Sequence, residues 1–148
     1  MKLNGLFICL LFNLFSNLQT DSLKTIYAII HKAENAERLS VKEVSLLLQS
    51  YENSCWINNV ELSESRSNAM IYLFADKYNL KQLIRAVDNN SDYMDYVLKE
   101  IIHPISDKFD RNGLINNLAK IRGYKKTKEK LLIAFKKKSS TILKILKN

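Results

Sequence analysis

Apolar side chains recur every three or four residues along most of the chain, which is the spacing of one face of an α-helix. These apolar stripes lie at residues 23–30, 41–51, 70–78, 80–87, 94–102, 114–121 and 131–146. Only three glycines and one proline are present, whereas strand-rich folds need many tight turns built from these residues. The pattern predicts an all-α fold, a small bundle of about five to seven short helices after an N-terminal signal peptide.

Polar residues between the stripes predict where several helices begin. Ser40 and Glu43 have the spacing of a capping box, so we expect a helix to start directly after Ser40. The next helix is predicted to begin near Ser63 or Ser65. The acidic and amide residues at 88–92 form the clearest loop in the chain.

Proline and glycine predict the helix ends in the second half of the chain. Pro104 disfavours helical geometry in the residue before it, so the fifth helix should stop at His103. Gly123 stands where a helix-ending glycine is common. The last helix is then expected to run from about Thr127 to Leu146.

The N-terminal residues have the layout of a signal peptide. Lys2 supplies an early positive charge, residues 6–15 are almost wholly apolar, and small or polar residues follow. The apolar run is shorter than the roughly 20 residues that span a bilayer. We therefore predict a signal peptide over residues 1–22, cut between Ser16 and Ser22, and a secreted, extracellular protein. The alternative is that this segment forms a buried first helix of the fold.

Secretion would affect the cysteines and one possible glycosylation triplet. Removal of the leader would take Cys9 with it and leave Cys55 without an intramolecular disulfide partner, in a predicted connection at residues 53–59. Cys55 is then either a small buried hydrophobic residue or the site of a disulfide between two chains. Asn89 begins an Asn-Asn-Ser acceptor triplet, so it is a candidate glycosylation site.

The positive charge is concentrated at the C-terminus. The net charge is +8, and residues 124–148 contain nine lysines and one acid, Glu129, which accounts for the whole excess. Residues 1–123 carry equal numbers of basic and acidic side chains. We therefore divide the mature chain into a helical domain at residues 23–123 and a basic amphipathic C-terminal helix at residues 124–148.

A cationic amphipathic helix can bind an acidic protein surface or lie on an anionic membrane. Nucleic acid is the weakest candidate, since the segment has no arginine for bidentate base contacts. The simplest alternative is a last bundle helix with solvated lysines. The predicted partner-binding residues are Lys125, Lys126, Lys128, Lys130, Lys136, Lys137, Lys138 and Lys144.

The sequence contains no convincing catalytic or metal-binding set. Glu100 and His103 have the spacing found in di-iron bundles, but no second motif of that kind is present. The residues around Asp110 and Gly113 resemble the centre of a calcium loop, but Lys108 and Ala119 stand where oxygen ligands are required. We therefore expect no cofactor, no metal and no enzymatic activity.

Taken together, these patterns predict a secreted, non-enzymatic, effector-like protein that binds a host or target protein through its lysine-rich C-terminal helix. One alternative is a secreted membrane-active or lipid-binding protein, in which the same helix lies on anionic lipid. Another is a helical carrier that encloses a small apolar ligand between its helices.

Overall fold

The computed structural model describes residues 22–52, 59–102 and 110–134. All regular structure in these three ranges is helical, which confirms the all-α prediction for this part of the chain. The predicted signal peptide lies outside the described residues, apart from residue 22. The helices are α1 at residues 22–34, α2 Val41–Gln49, α3 Val60–Ala75, α4 Lys77–Asn89, α5 Tyr93–Ile102, α6 Arg111–Lys120 and α7 at residues 125–134.

The predicted capping box at the start of α2 is confirmed. The Ser40 hydroxyl accepts from the backbone N–H of Glu43 at 3.2 Å, and the Glu43 carboxylate accepts from the backbone N–H of Ser40 at 2.8 Å. Two backbone donors at the helix start are thereby satisfied. Glu43 also accepts from the ammonium of Lys32 on α1 at 2.8 Å, so the cap joins two helices.

The end of α1 turns back through a residue with positive φ. The backbone N–H of Glu37 donates to the carbonyl of Lys32, and that of Ala36 donates to the carbonyl of Ala33. This hydrogen-bond pair is the Schellman motif, which places its central residue in the left-handed region. That residue is Ala36, with φ of 55°, at a position where glycine is usual.

The third and fourth helices differ from the predicted boundaries. α3 begins at Val60, before Ser63, because Asn59 caps it by accepting from the backbone N–H of Leu62 at 2.9 Å. Asp76 is the only residue between α3 and α4; its extended backbone ends one helix, and its carboxylate caps the next. Tyr78, predicted to belong to the third helix, therefore lies in α4.

The predicted loop at residues 88–92 is shorter in the structure. Residues 88 and 89 belong to α4, and only residues 90–92 separate it from α5. The expected stop of α5 at His103 lies outside the described residues. α6 ends before Ile121, and Gly123, with φ of 82°, belongs to the turn that leads into α7.

The last helix begins earlier than predicted, at residue 125 rather than at Thr127. Its described part ends at residue 134. The rest of the predicted helix, toward Leu146, lies beyond the described residues.

The buried apolar residues form one core, with α4 near its centre. α4 contacts α2, α3, α5 and α6, and its core residues include Leu80, Leu83 and Ile84, which are fully buried. Ile26 of α1 and Leu131 of α7 belong to the same cluster. Because burying apolar surface is the dominant favourable term in folding, this shared core holds both terminal helices against the rest of the bundle.

Asn79 connects α4 to the turn between α1 and α2. Its side-chain oxygen accepts from the backbone N–H of Leu39, and its side-chain nitrogen donates to the carbonyl of Glu37, both at 2.9 Å. Asn79 is buried, so these bonds satisfy polar groups that water does not reach. The turn at residues 37–39 is thereby fixed against the N-terminal end of α4.

Candidate interaction surface

The inner side of α7 is fixed to the bundle by three contacts. Leu131 is 1% exposed and belongs to the core, and the Thr127 hydroxyl donates to the carboxylate of Asp88 on α4 at 3.0 Å. The Lys128 ammonium donates to the carbonyl of Ile121 at 2.6 Å, just past the end of α6. A cation at this position complements the negative end of the α6 dipole.

The outer side of α7 is basic and exposed. We call residues 125, 126, 129, 130 and 133 the outer face of α7; at 100° per residue they share one side of the helix, and all are exposed. Lys125 lies 4.0 Å from the carboxylate of Glu129, with the two side chains 89% and 56% exposed. Such an exposed pair contributes little, so the face keeps a net positive character.

The structure separates the predicted partner-binding lysines by role. Lys125, Lys126 and Lys130 lie on the outer face of α7, whereas Lys128 turns inward to α6. The sequence spacing indicates the inward position of Lys128, because this residue lies one helical turn before the core residue Leu131. Four further predicted lysines lie outside the described residues, namely Lys136, Lys137, Lys138 and Lys144.

A small cavity adjoins the basic surface, and no pattern in the sequence predicts it. It has a volume of about 120 Å³ and lies between the C-terminal end of α4, the start of α5 and the start of α7. Lys126 and Lys130 line it from α7, and Asp88 and Ser91 line it from the α4–α5 region. These residues are separated by more than 30 positions in the chain, so no local pattern could have brought them together.

A cluster of hydrogen-bonded polar side chains is buried between the end of α2, α3 and α5. Glu100 accepts from the hydroxyl of Ser67 at 2.7 Å and from that of Tyr51 at 3.2 Å. Arg66 lies over the Tyr51 ring, 4.4 Å from its centroid, and donates to the carbonyl of Ser50 at 2.7 Å. Tyr96 stacks on the same ring, with centroids 5.2 Å apart.

This buried group links helices rather than presenting a reactive side chain. Burial of the Tyr51 hydroxyl and the nearby Glu100 charge raise the pKa of Tyr51 well above its usual value, so the phenol stays protonated and donates. Both carboxylate oxygens of Glu100 have hydroxyl donors, which accounts for a carboxylate in the core. Glu100 has the di-iron-like spacing to His103 in the sequence, and His103 lies outside the described residues.

The remaining candidate residues have separate positions. Asn89, the candidate glycosylation site, is exposed at the last residue of α4. Cys55 lies outside the described residues, so neither of its two predicted states is assigned. Asp110 caps α6 by accepting from the backbone N–H of Gly113 at 2.9 Å, the role expected for a helix start.

Neither a metal-binding cluster nor a membrane-spanning helix is present among the described residues. Within the described ranges, no group of three or more histidine, cysteine, aspartate or glutamate side chains could hold a metal ion. None of the helices described there has both the length and the apolarity needed to cross a membrane. No protein-family model, curated protein or solved structure matches this chain.

Proposed function

We propose that this protein is a secreted, non-enzymatic, effector-like protein that binds a host or target protein through the outer face of α7. The observation that carries the proposal is the division of α7 into a fixed inner side and an exposed basic side. Thr127, Lys128 and Leu131 hold the helix, while Lys125, Lys126 and Lys130 face outward. Binding then costs less ordering of the backbone, because the lysines stand on a helix that is already docked.

The distribution of charge supports an acidic partner. Residues 124–148 carry the whole net charge of +8, and residues 1–123 are balanced. A charge excess on one side of a small protein attracts an oppositely charged surface and raises the rate of encounter. An acidic patch on the partner is therefore the complementary surface.

The test compares two variants of equal net charge. Lys125, Lys126 and Lys130 are changed to glutamine in one variant, and the exposed lysines Lys42, Lys77 and Lys81 are changed in the other. Both are used as baits against proteins of the secreting organism's target cells, with quantitative mass spectrometry. We expect partners enriched by the natural protein to be lost with the first variant and kept with the second. Equal retention by both variants would refute the role of the outer face.

Secretion is tested separately from binding. We expect mass spectrometry of the culture medium to find a chain that begins between Ser16 and Ser22. The same measurement shows whether Asn89 carries a glycan and whether Cys55 is oxidised. Recovery of the chain only inside the cell, with its leader intact, would contradict secretion without bearing on the basic face.

One observation favours a second candidate function, binding to an anionic membrane. Ile133 is 64% exposed and lies on the outer face between the directions of Lys126 and Glu129. An apolar side chain among lysines can enter a lipid surface while the ammonium groups bind headgroups. In this case we expect co-sedimentation with anionic vesicles, absent with neutral vesicles and weakened by both high salt and Ile133→Ser.

A further inference from the structure

The cavity beside α7 has the composition of an anion site. Val87 and Met94 supply its apolar wall, and Ser91 and Thr127 supply hydroxyl groups. Its volume of about 120 Å³ is several times the ~15 Å³ that a single water molecule needs. A small polyatomic ion therefore fits. Two lysines, Lys126 and Lys130, complete the lining.

The charge in the cavity is positive. Neither Lys126 nor Lys130 has an ion-pair or hydrogen-bond partner among the residues that the structure describes. Asp88 is the one acidic side chain of the lining, and its carboxylate already accepts from the Thr127 hydroxyl at 3.0 Å. Among the described lining residues, two cations therefore stand against one anion, which leaves a net charge of +1.

Further features favour an anion over other ligands. Three helix ends meet at the cavity: the N-terminal ends of α5 and α7 carry partial positive charge, and the C-terminal end of α4 carries partial negative charge. A metal cation would meet two ammonium groups and a single carboxylate, and an apolar ligand would have to cover two charges without pairing them. Lysine binds phosphate as a point charge from any direction, which suits a tetrahedral oxyanion with acceptors on every side.

We propose that this cavity binds a phosphate group, held by Lys126, Lys130 and the Ser91 hydroxyl. The inference deepens the proposed function and rests on it, since Lys126 and Lys130 also belong to the outer face of α7. The shared chemistry is a phosphate dianion or monoanion, supplied either as the free ion or as a phosphate monoester. The carboxylate of Asp88 repels the phosphate and lowers the affinity of the cavity for it.

The experiment is a titration of the isotope-labelled protein with inorganic phosphate, followed by the amide NMR signals of Ser91, Met94 and Thr127. We expect saturable shifts at these amides and none with equal concentrations of chloride. Lys126→Gln with Lys130→Gln should weaken binding about fivefold or more, since two partly exposed charge contacts are lost. Asp88→Asn should tighten it about threefold, because a repulsive charge is removed while the acceptor for Thr127 remains.

Matched controls separate this site from the outer face. Lys125→Gln removes a lysine of the outer face that does not line the cavity, and it should leave phosphate binding unchanged. A parallel titration with O-phosphoserine identifies the source: tighter binding than free phosphate favours a monoester, and equal or weaker binding favours the free ion. Either result agrees with the proposal.

The absence of saturable shifts, or an unchanged affinity in Asp88→Asn, would overturn the phosphate site. Because no partner protein is present, that failure is distinct from failure of the proposed function. Loss of partner capture in the lysine variant, together with no phosphate binding, would leave only the proposed function standing.

Discussion

Glu43 is held by three donors at the start of α2. Its carboxylate accepts from the Lys32 ammonium, the Ser40 backbone N–H and the Ser40 hydroxyl, each at 2.8 Å. Hydrogen bonding to Lys32, followed by that to Ser40, lowers the pKa of Glu43 from 4.5 to about 2. These contacts favour the ionised carboxylate, so the stability of the junction between α1 and α2 depends on pH.

Glu43→Gln should lower the free energy of unfolding at pH 7 by up to about 1 kcal/mol, because the neutral amide can still cap the helix but loses the charge-assisted bonds to Lys32 and Ser40. Because the folded-state pKa is depressed, the stability from Glu43 is fully present above pH 4.5 and is lost as the pH falls toward 2. The difference between natural protein and variant should therefore shrink over that interval. Urea unfolding followed by circular dichroism at several pH values measures it.

The control for this prediction is Glu64→Gln, on an exposed position of α3. Glu64 has no hydrogen bond or ion pair within the described part of the chain, so this variant reports the loss of one negative charge alone. A Glu43 effect that is independent of pH between 5 and 2 would contradict the assigned role of the carboxylate.

Single residues show why some helix boundaries could be predicted and others could not. The cap at Ser40 is local, since its donor and acceptor lie three positions apart, and the sequence predicted it. The turn at Ala36 could not be predicted, because alanine seldom occupies the left-handed region and the Asn79 side chain that bonds the next residue lies 42 positions further along the chain. Asp76 separates two helices whose apolar stripes continue almost without interruption.

At the scale of the element, α7 joins the core through Leu131, and Leu132 packs against the same core from a partly buried position. Leu131 is buried in the shared core, whereas Ile133, two residues later, is 64% exposed. Because these two residues lie on opposite sides of one helix, substituting each of them tests whether α7 unfolds together with the core. The lysines were predicted from composition, and the spacing of Lys128 from Leu131 indicates its inner side, but its bond to the end of α6 required the position of that helix.

Leu131→Ala should lower the free energy of unfolding by about 2–4 kcal/mol, since it leaves a cavity in the core. Ile133→Ala, of similar size and in the same helix, should change it by less than about 0.5 kcal/mol. Chemical denaturation of both variants, followed by circular dichroism, gives the comparison. Equal effects of the two substitutions would mean that α7 does not unfold together with the core.

At the scale of the whole molecule, a neutral body carries a strongly basic end. The body is organised around α4, which contacts four other helices and shares one core with α1 and α7. Apolar spacing predicted the existence of the helices, because it depends on neighbours in the chain. It could not predict which helices pack together, and the cavity between α4, α5 and α7 depends on that arrangement.

Concentrated charge should make stability and binding respond to salt in opposite directions. Nine lysines within residues 124–148 repel one another, so raising NaCl from about 50 to 500 mM should increase the free energy of unfolding by up to about 1 kcal/mol while weakening anion binding. Changing Lys125, Lys126 and Lys130 to glutamine should reduce this salt-dependent gain. Changing Lys42, Lys77 and Lys81 lowers the net charge equally and should preserve it. Denaturation of both variants at each salt concentration measures the gain in stability, and the phosphate titration at the same concentrations measures anion binding. Equal salt dependence of stability in the two variants would show that total charge, rather than its clustering on α7, governs the response.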